Sequence, residues 1–156
     1  MIQPTRFEQG QKILLAGLRQ YHLFSSVQQT IPQQWQQFRQ QYSQLLSRRA
    51  RSFGATCMAD DNGFEYMSAV EVDNFEQLAP DTGRMIIKPQ YYAVFRHQGD
   101  IATIGQTWQQ IHQWIATSDY QHEHAPCFEL YDERYNAKTG FGLVEIWIAV
   151  TFAPVT

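Results

Sequence analysis

Along this chain the apolar positions follow two different periods, and the switches between them mark its elements. Residues 12–19 form a short, continuously apolar run closed by polar residues, which predicts a buried strand. From Ile31 the spacing changes to steps of three and four: Ile31, Trp35, Phe38, Tyr42 and Leu45 or Leu46 share one stripe. Pro32 suits a first turn, so a helix is expected from there to about Arg51, with its glutamines on the opposite face. Residues 53–59 return to strand character. Asp61-Asn62-Gly63 then carries the Asn-Gly signal of a tight hairpin, and residues 64–72 read as the returning strand.

After a loop with Pro80, Gly83 and Pro89 the order starts again. Residues 91–97 predict a strand whose end is punctuated by Gly99 and Asp100. A second helix follows, with Ile101, Ile104, Trp108, Ile111 and Ile115 on one stripe. Residues 127–133 and 143–150 predict two more strands, separated by the turn-rich residues 135–140. Ile31, Trp35 and Phe38 align with Ile104, Trp108 and Ile111 at the same internal spacing, each set after a strand and before a hairpin. Two strand-helix-strand-strand units predict an α+β fold: a pseudo-symmetric, antiparallel-rich sheet with two main helices on one face and a ligand cleft on the other. A single domain over residues 1–156 is expected, with halves at about 1–75 and 84–156.

Composition narrows the classes. The chain has 156 residues, 44% of them hydrophobic and 17% charged, and a formal net charge of -3. A chain of this length buries roughly 70% of its unfolded surface, enough for a core without disulfides or a metal. The apolar runs fall short of the roughly 20 residues that span a bilayer, and no signal-peptide order opens the chain. A cytoplasmic protein is expected, and two distant cysteines, Cys57 and Cys127, agree with a reducing compartment. The one basic cluster, Arg48, Arg49 and Arg51, suits the last turn of a helix, so direct nucleic-acid binding is not expected. The dense glutamines are read as surface.

The last hairpin can be sorted by parity, because side chains alternate across a strand. Val144, Ile146, Ile148 and Val150 point one way; Glu145, Trp147 and Ala149 point the other. Phe128 and Leu130 share a face, and Glu129 and Tyr131 share its opposite. Both glutamates are assigned to one face beside the two large aromatics, and parity does not say which is central. Carboxylates among aromatic rings suit a lipophilic cation: ring faces attract positive charge, and a neutral ligand would leave the carboxylate unpaired. The alternative is two surface glutamates on an ordinary sheet face.

Other constellations are weaker. His122, Glu123 and His124 lack a third ligand at a recognisable spacing, so no metal site is expected, and no cofactor motif is present. His97 and His112 read as structural or exposed, Cys57 as a core residue, and Met58, Met67 and Met85 as fillers of core or pocket gaps.

These residues carry a resemblance. Residues 128–132 (Phe-Glu-Leu-Tyr-Asp) and 144–150 (Val-Glu-Ile-Trp-Ile-Ala-Val) resemble the close of the GyrI-like, or AraC-type, effector-binding domains. Gly17, Ile31-Pro32 with Trp35 and Phe38, Gly63 to Tyr66, Tyr92 to Phe95 with Gly99, and Trp108 with Ile111 match in order, over nearly the whole chain. Ala149 stands where the motif often has proline. The resemblance implies a ligand cleft between two pseudo-symmetric modules, used in multidrug-responsive regulators to bind bulky aromatic cations. It implies an acidic cleft residue, Glu129 or Glu145, and pocket aromatics at Trp35, Tyr66, Tyr92, Tyr131 and Trp147.

The residues before Lys12 are too few for a helix-turn-helix, so a stand-alone sensor or sequestering module is expected, with a separate regulatory protein as one partner. Exposed sheet edges provide for a homodimer. Two rival readings remain: a hydrolase of reactive ring-containing natural products with Glu129 or Glu145 as general base, and a gyrase-inhibitor-like protein-interaction module.

Overall fold

The computed structural model describes residues 1–47 and 51–154. Its strands are β1 (Arg6–Gln9), β2 (Ile13–Leu23), β3 (Ser52–Ala59), β4 (Gly63–Glu71), β5 (Gly83–Ile87), β6 (Tyr91–Asp100), β7 (Tyr120–His122), β8 (Cys127–Tyr131), β9 (Tyr135–Asn136) and β10 (Phe141–Phe152). The helices are α1 (Val27–Gln41), the short α2 (Ser43–Ser47) and α3 (Ile104–Thr117), the last entered through a 3-10 turn at Ile101–Thr103. All pairings are antiparallel, in the order β1-β6-β10-β8-β3-β4-β2-β5, with β7 and β9 attached to β10. Counted outward from the β3/β8 junction, each unit places its second, third and first strands in turn. That is the pseudo-symmetric duplication expected from the sequence. Among the described residues no helix is long and apolar enough to cross a membrane.

Two connections curl this sheet. Only residues 88–90 link β5 to β6, yet the two strands lie six positions apart in the order. Flat, that separation would be about 29 Å, while the connection reaches about 14 Å at full stretch. Residues 10–12 impose the same closure between β1 and β2, and the two links meet where Gly10 N donates to Gln90 O at 2.8 Å. The helix-free face therefore lines the inside of the curl and buries Leu15, Met67, Tyr92, Phe128 and Trp147 with no helix above them. On the convex side, α1 packs Phe38 over Ala16 and Val70, and α3 packs Ile111, Trp114 and Ile115 over Phe95, Ile146 and Ile148.

Several expectations need correction. The first helix starts at Val27 and breaks after Gln41, and Arg51 lies outside it, just before β3, pairing with Glu71 at 3.2 Å. Arg48 and Arg49 lie outside the described residues. Gln34 is buried rather than on the surface: its amide donates to Leu18 O at 2.9 Å and Tyr66 O at 3.0 Å, and its carbonyl faces the His22 ring. Met67 and Met85 are core residues, but Met58 is 78% exposed, turned out at an irregularity in β3 where its φ is +45°. Strand β8 stops at Tyr131. The strands β1, β5, β7 and β9 had no prediction, because each is too short, at two to five residues, to show an alternation of its own.

Candidate functional site

The register between β8 and β10 sets Glu145 opposite Leu130 and Ile146 opposite Glu129. Residues directly opposite share a face, so the two glutamates lie on opposite faces of the sheet, and the parity assignment that put them together is wrong. A one-residue offset between two strands is enough to separate them. Trp147 and Tyr92 go with Glu145 to the helix-free face, whereas Tyr131 stays with Glu129.

Glu129 sits at the β3/β8 junction, between the helices of the two units, and is 6% exposed. Its Oε1 accepts from the hydroxyls of Tyr66 and Tyr131, each at 2.7 Å, and its Oε2 accepts from Trp108 Nε1 at 2.9 Å. Trp35 Nε1 donates to the Tyr66 hydroxyl at 3.1 Å, and the Trp35 ring stands edge-on to Tyr131 with centroids 5.1 Å apart. Trp35 of α1 and Trp108 of α3 are the residues that the internal repeat aligns, so each unit contributes one tryptophan to the same carboxylate cluster. Trp108 is not among the pocket aromatics that the family resemblance implied, and the repeat alignment is the sequence signal that points to it.

The cluster needs the space that Gly54 leaves. Gly54 is the β3 residue opposite both Glu129 and Ser68, and a Cβ there would lie 1.9 Å from the Tyr66 hydroxyl and 2.8 Å from Glu129 Oε1. Gly54→Ala is therefore expected to drive the Tyr66 hydroxyl off the carboxylate and to cost about 1–3 kcal/mol, as overpacking does. Thermal denaturation reads the cost. A shift of the Trp35 indole N–H resonance, which hydrogen-bonds that hydroxyl, reads the displacement.

Electrostatics distinguishes the two glutamates. Among the described residues Glu129 makes no salt bridge. Burial pushes its carboxyl above the usual range, and the hydrogen bonds from Tyr131, Trp108 and Tyr66, with the field of His97, recover only part of that rise. The Tyr66 and Tyr131 hydroxyls are pushed well above the ordinary phenol range, by burial first and by the charge of Glu129 next, so they remain neutral donors. Glu145 is neutralised where it stands. Arg6 binds it through both terminal nitrogens, at 2.9 and 3.1 Å, Trp147 Nε1 donates at 3.0 Å, and Arg134 lies at 3.5 Å. Burial opposes its charge, but Arg6 and these neighbours together hold the carboxyl below its usual range.

His97 is held by Thr107 Oγ1 at 2.6 Å and Asp100 O at 2.9 Å, and the His112 and His122 rings meet at 5.5 Å between α3 and β7. Burial pushes the thiols of Cys57 and Cys127 up to about 11, which keeps both protonated and poor nucleophiles at neutral pH.

A curled antiparallel sheet of two strand-helix-strand-strand units, with both main helices on its convex face, is the fold of the GyrI-like effector-binding domains. The chain belongs to the Cass2 family, integron-associated effector binding proteins, whose model matches residues 6–150. Among solved structures it is similar to SAV2435 bound to tetraphenylphosphonium, at 25% identity and a TM-score of 0.76, over 94% of this chain and 93% of that one. It shares its fold with the integron cassette protein VCH_CASS2 from the mobile metagenome of Vibrio cholerae, at 17% identity and a TM-score of 0.74, over 96% and 97% of the two chains. It also shares it with the EcmrR C-terminal domain, at 13% identity and a TM-score of 0.66, over 98% and 100%. No curated protein sequence matches.

Proposed function

We propose that this protein binds lipophilic, cationic aromatic small molecules, with Glu129 as the countercharge and Trp35, Tyr66, Trp108 and Tyr131 as the surrounding rings. One observation carries the reading: a buried carboxylate at the junction of the two units that is hydrogen-bonded by three aromatic side chains and makes no salt bridge among the described residues. Holding a charge out of water without a counterion costs several kcal/mol, and an incoming cation repays that cost. A neutral ligand of the same shape does not. The tetraphenylphosphonium bound to SAV2435 is a ligand of that chemistry. Because Glu129 is enclosed and both tryptophans are half-buried, ligand entry requires Trp35 or Trp108 to swing aside, and either motion changes indole fluorescence.

The test is a fluorescence titration with tetraphenylphosphonium and with neutral triphenylphosphine oxide, followed by mass spectrometry of the recovered ligand. Saturable binding of the cation, much weaker binding of the oxide and an unchanged ligand mass are expected. Equal affinity for both compounds would sink the reading, and a changed mass would move it to hydrolysis.

The same site predicts a pH dependence. The cation favours the deprotonated carboxylate, so affinity is full above the raised pKa of Glu129 and falls about tenfold per pH unit below it. Of the other titratable groups facing the carboxylate, Tyr66 and Tyr131 stay neutral, so the pH dependence is carried by Glu129 itself. Titrations from pH 8 downward check this: affinity that does not fall on acidification removes Glu129 as the countercharge.

A further inference from the structure

Each unit of the duplication carries a buried histidine toward the end of its first strand, His22 on β2 and His97 on β6, and each turns toward the helix that follows it. His97 Nδ1 meets the Thr107 hydroxyl of α3 at 2.6 Å. Asp100 O can only accept, so Nε2 donates to it at 2.9 Å, and both ring nitrogens are occupied. His22 Nδ1 meets the Thr30 hydroxyl of α1 at 2.7 Å, and its Nε2 donates to Gln34 Oε1, one turn further along the helix. The orientation of Gln34 is fixed: its amide nitrogen donates to Leu18 O and Tyr66 O, so its oxygen is what remains for the histidine.

The internal repeat gives these contacts a common logic. The alignment that pairs Trp35 with Trp108 also pairs Gln34 with Thr107. In each unit, therefore, the first-strand histidine holds the residue directly before the tryptophan that reaches the carboxylate cluster. Apolar side chains seat the rest of each helix, and their attraction is non-directional, so it sets the rotation of the helix on the sheet less sharply than a polar contact does. The cluster is less tolerant. A hydrogen bond weakens steeply as its angle falls, and Trp108 Nε1 has to meet Glu129 Oε2 at 2.9 Å. A polar anchor one residue away supplies the direction.

We infer that His22 and His97 are positioning residues of the ligand site, each aiming one tryptophan at the Glu129 cluster through the helix residue that precedes it. In the first unit the same anchor also reaches Tyr66, through the Gln34 amide on its carbonyl. The consequence for ligand affinity rests on the Glu129 reading; the aiming of the two indoles does not, and it can be read in the ligand-free protein.

The four tryptophans make the test specific, because each indole N–H has a different partner: Tyr66 for Trp35, Glu129 for Trp108, Gln3 for Trp114 and Glu145 for Trp147. Nitrogen-proton correlation spectra of the full chain are compared for Thr107→Val and Thr30→Val, each of which removes one hydroxyl and keeps the shape of the side chain. In the ligand-free protein, Thr107→Val is expected to move the Trp108 signal and leave that of Trp35, and Thr30→Val to do the reverse, with Trp114 and Trp147 in place in both. Because a ring facing a bound cation adds to its attraction, tetraphenylphosphonium affinity is expected to fall about fivefold in each variant. Thr107→Ser and Thr30→Ser keep the hydroxyl and are expected to recover both the indole positions and the affinity. Cluster signals that stay put in the valine variants, serine variants that behave like the valine ones, or shifts spread over all four indoles, as a general loosening would spread them, each overturn the proposal. A wild type that binds no cation fails the Glu129 reading instead, and the ligand-free spectra still decide the positioning.

Discussion

Replacing Glu129 by glutamine is expected to weaken tetraphenylphosphonium binding about a hundredfold while leaving the fold intact. Losing one member of a desolvated charge pair in a complex costs roughly 2–5 kcal/mol, and each 1.4 kcal/mol is tenfold in affinity. The free protein responds differently. Because the folded state raises the pKa of Glu129, this group contributes stability at pH values below the ordinary carboxyl range, and that contribution is lost as pH rises through the raised value. Once deprotonated, the side chain is therefore a liability to the fold. Glutamine keeps an oxygen for Tyr66 and Tyr131 but turns an amide toward Trp108 Nε1, giving up one hydrogen bond as it removes the charge. The two effects oppose each other, so thermal stability is expected to change by no more than about 1 kcal/mol. Titration calorimetry and thermal denaturation on the same sample check both halves. A variant that binds the cation like the wild type would remove Glu129 from the site.

Glu145→Gln should show the reverse pattern. Arg6 and Trp147 place two strong donors on this carboxylate, and Arg6 also lies over the Trp147 ring at 5.2 Å, so the pair ties β1 to the centre of the sheet. Removing one partner of a fully buried ion pair costs about 3–5 kcal/mol. The Arg6 side chain is 36% exposed and can recover some hydration, which lowers the expectation to about 2–3 kcal/mol. For a chain of this size that corresponds to a fall of about 5–10 °C in Tm. The sign with pH also differs from that of Glu129. The folded state lowers the pKa of Glu145, so its stabilisation is present above the ordinary carboxyl range and is lost as pH falls through the lowered value. The gap in stability between wild type and variant should therefore close on acidification. Cation affinity of the folded variant should match the wild type. If Glu145→Gln loses cation binding and keeps its Tm, the roles assigned to the two glutamates are reversed.

Most of the architecture was legible in the sequence because it follows from local periodicity. The stripe from Ile31 through Trp35 and Phe38, and its repeat at Ile104, Trp108 and Ile111, marked both main helices. Asn62-Gly63 marked the β3–β4 hairpin, and alternation within β8 placed Glu129 beside Tyr131. Each of these relations lies within one element or one turn, where the backbone sets which side chains are neighbours.

The division between the two glutamates was different. Each lies on a strand whose alternation was read correctly, and only the pairing of β8 with β10, which no local pattern encodes, puts them on opposite faces. The curl is also decided at long range, through two three-residue connections that draw the sheet's edges together and make an interior of the helix-free face. The sequence by itself determined the two main helices and the six main strands, their duplication, the family resemblance and the chemistry on offer. Strand register and sheet closure, set by contacts far apart along the chain, decided which carboxylate Arg6 neutralises and which is left among aromatic rings with no salt bridge.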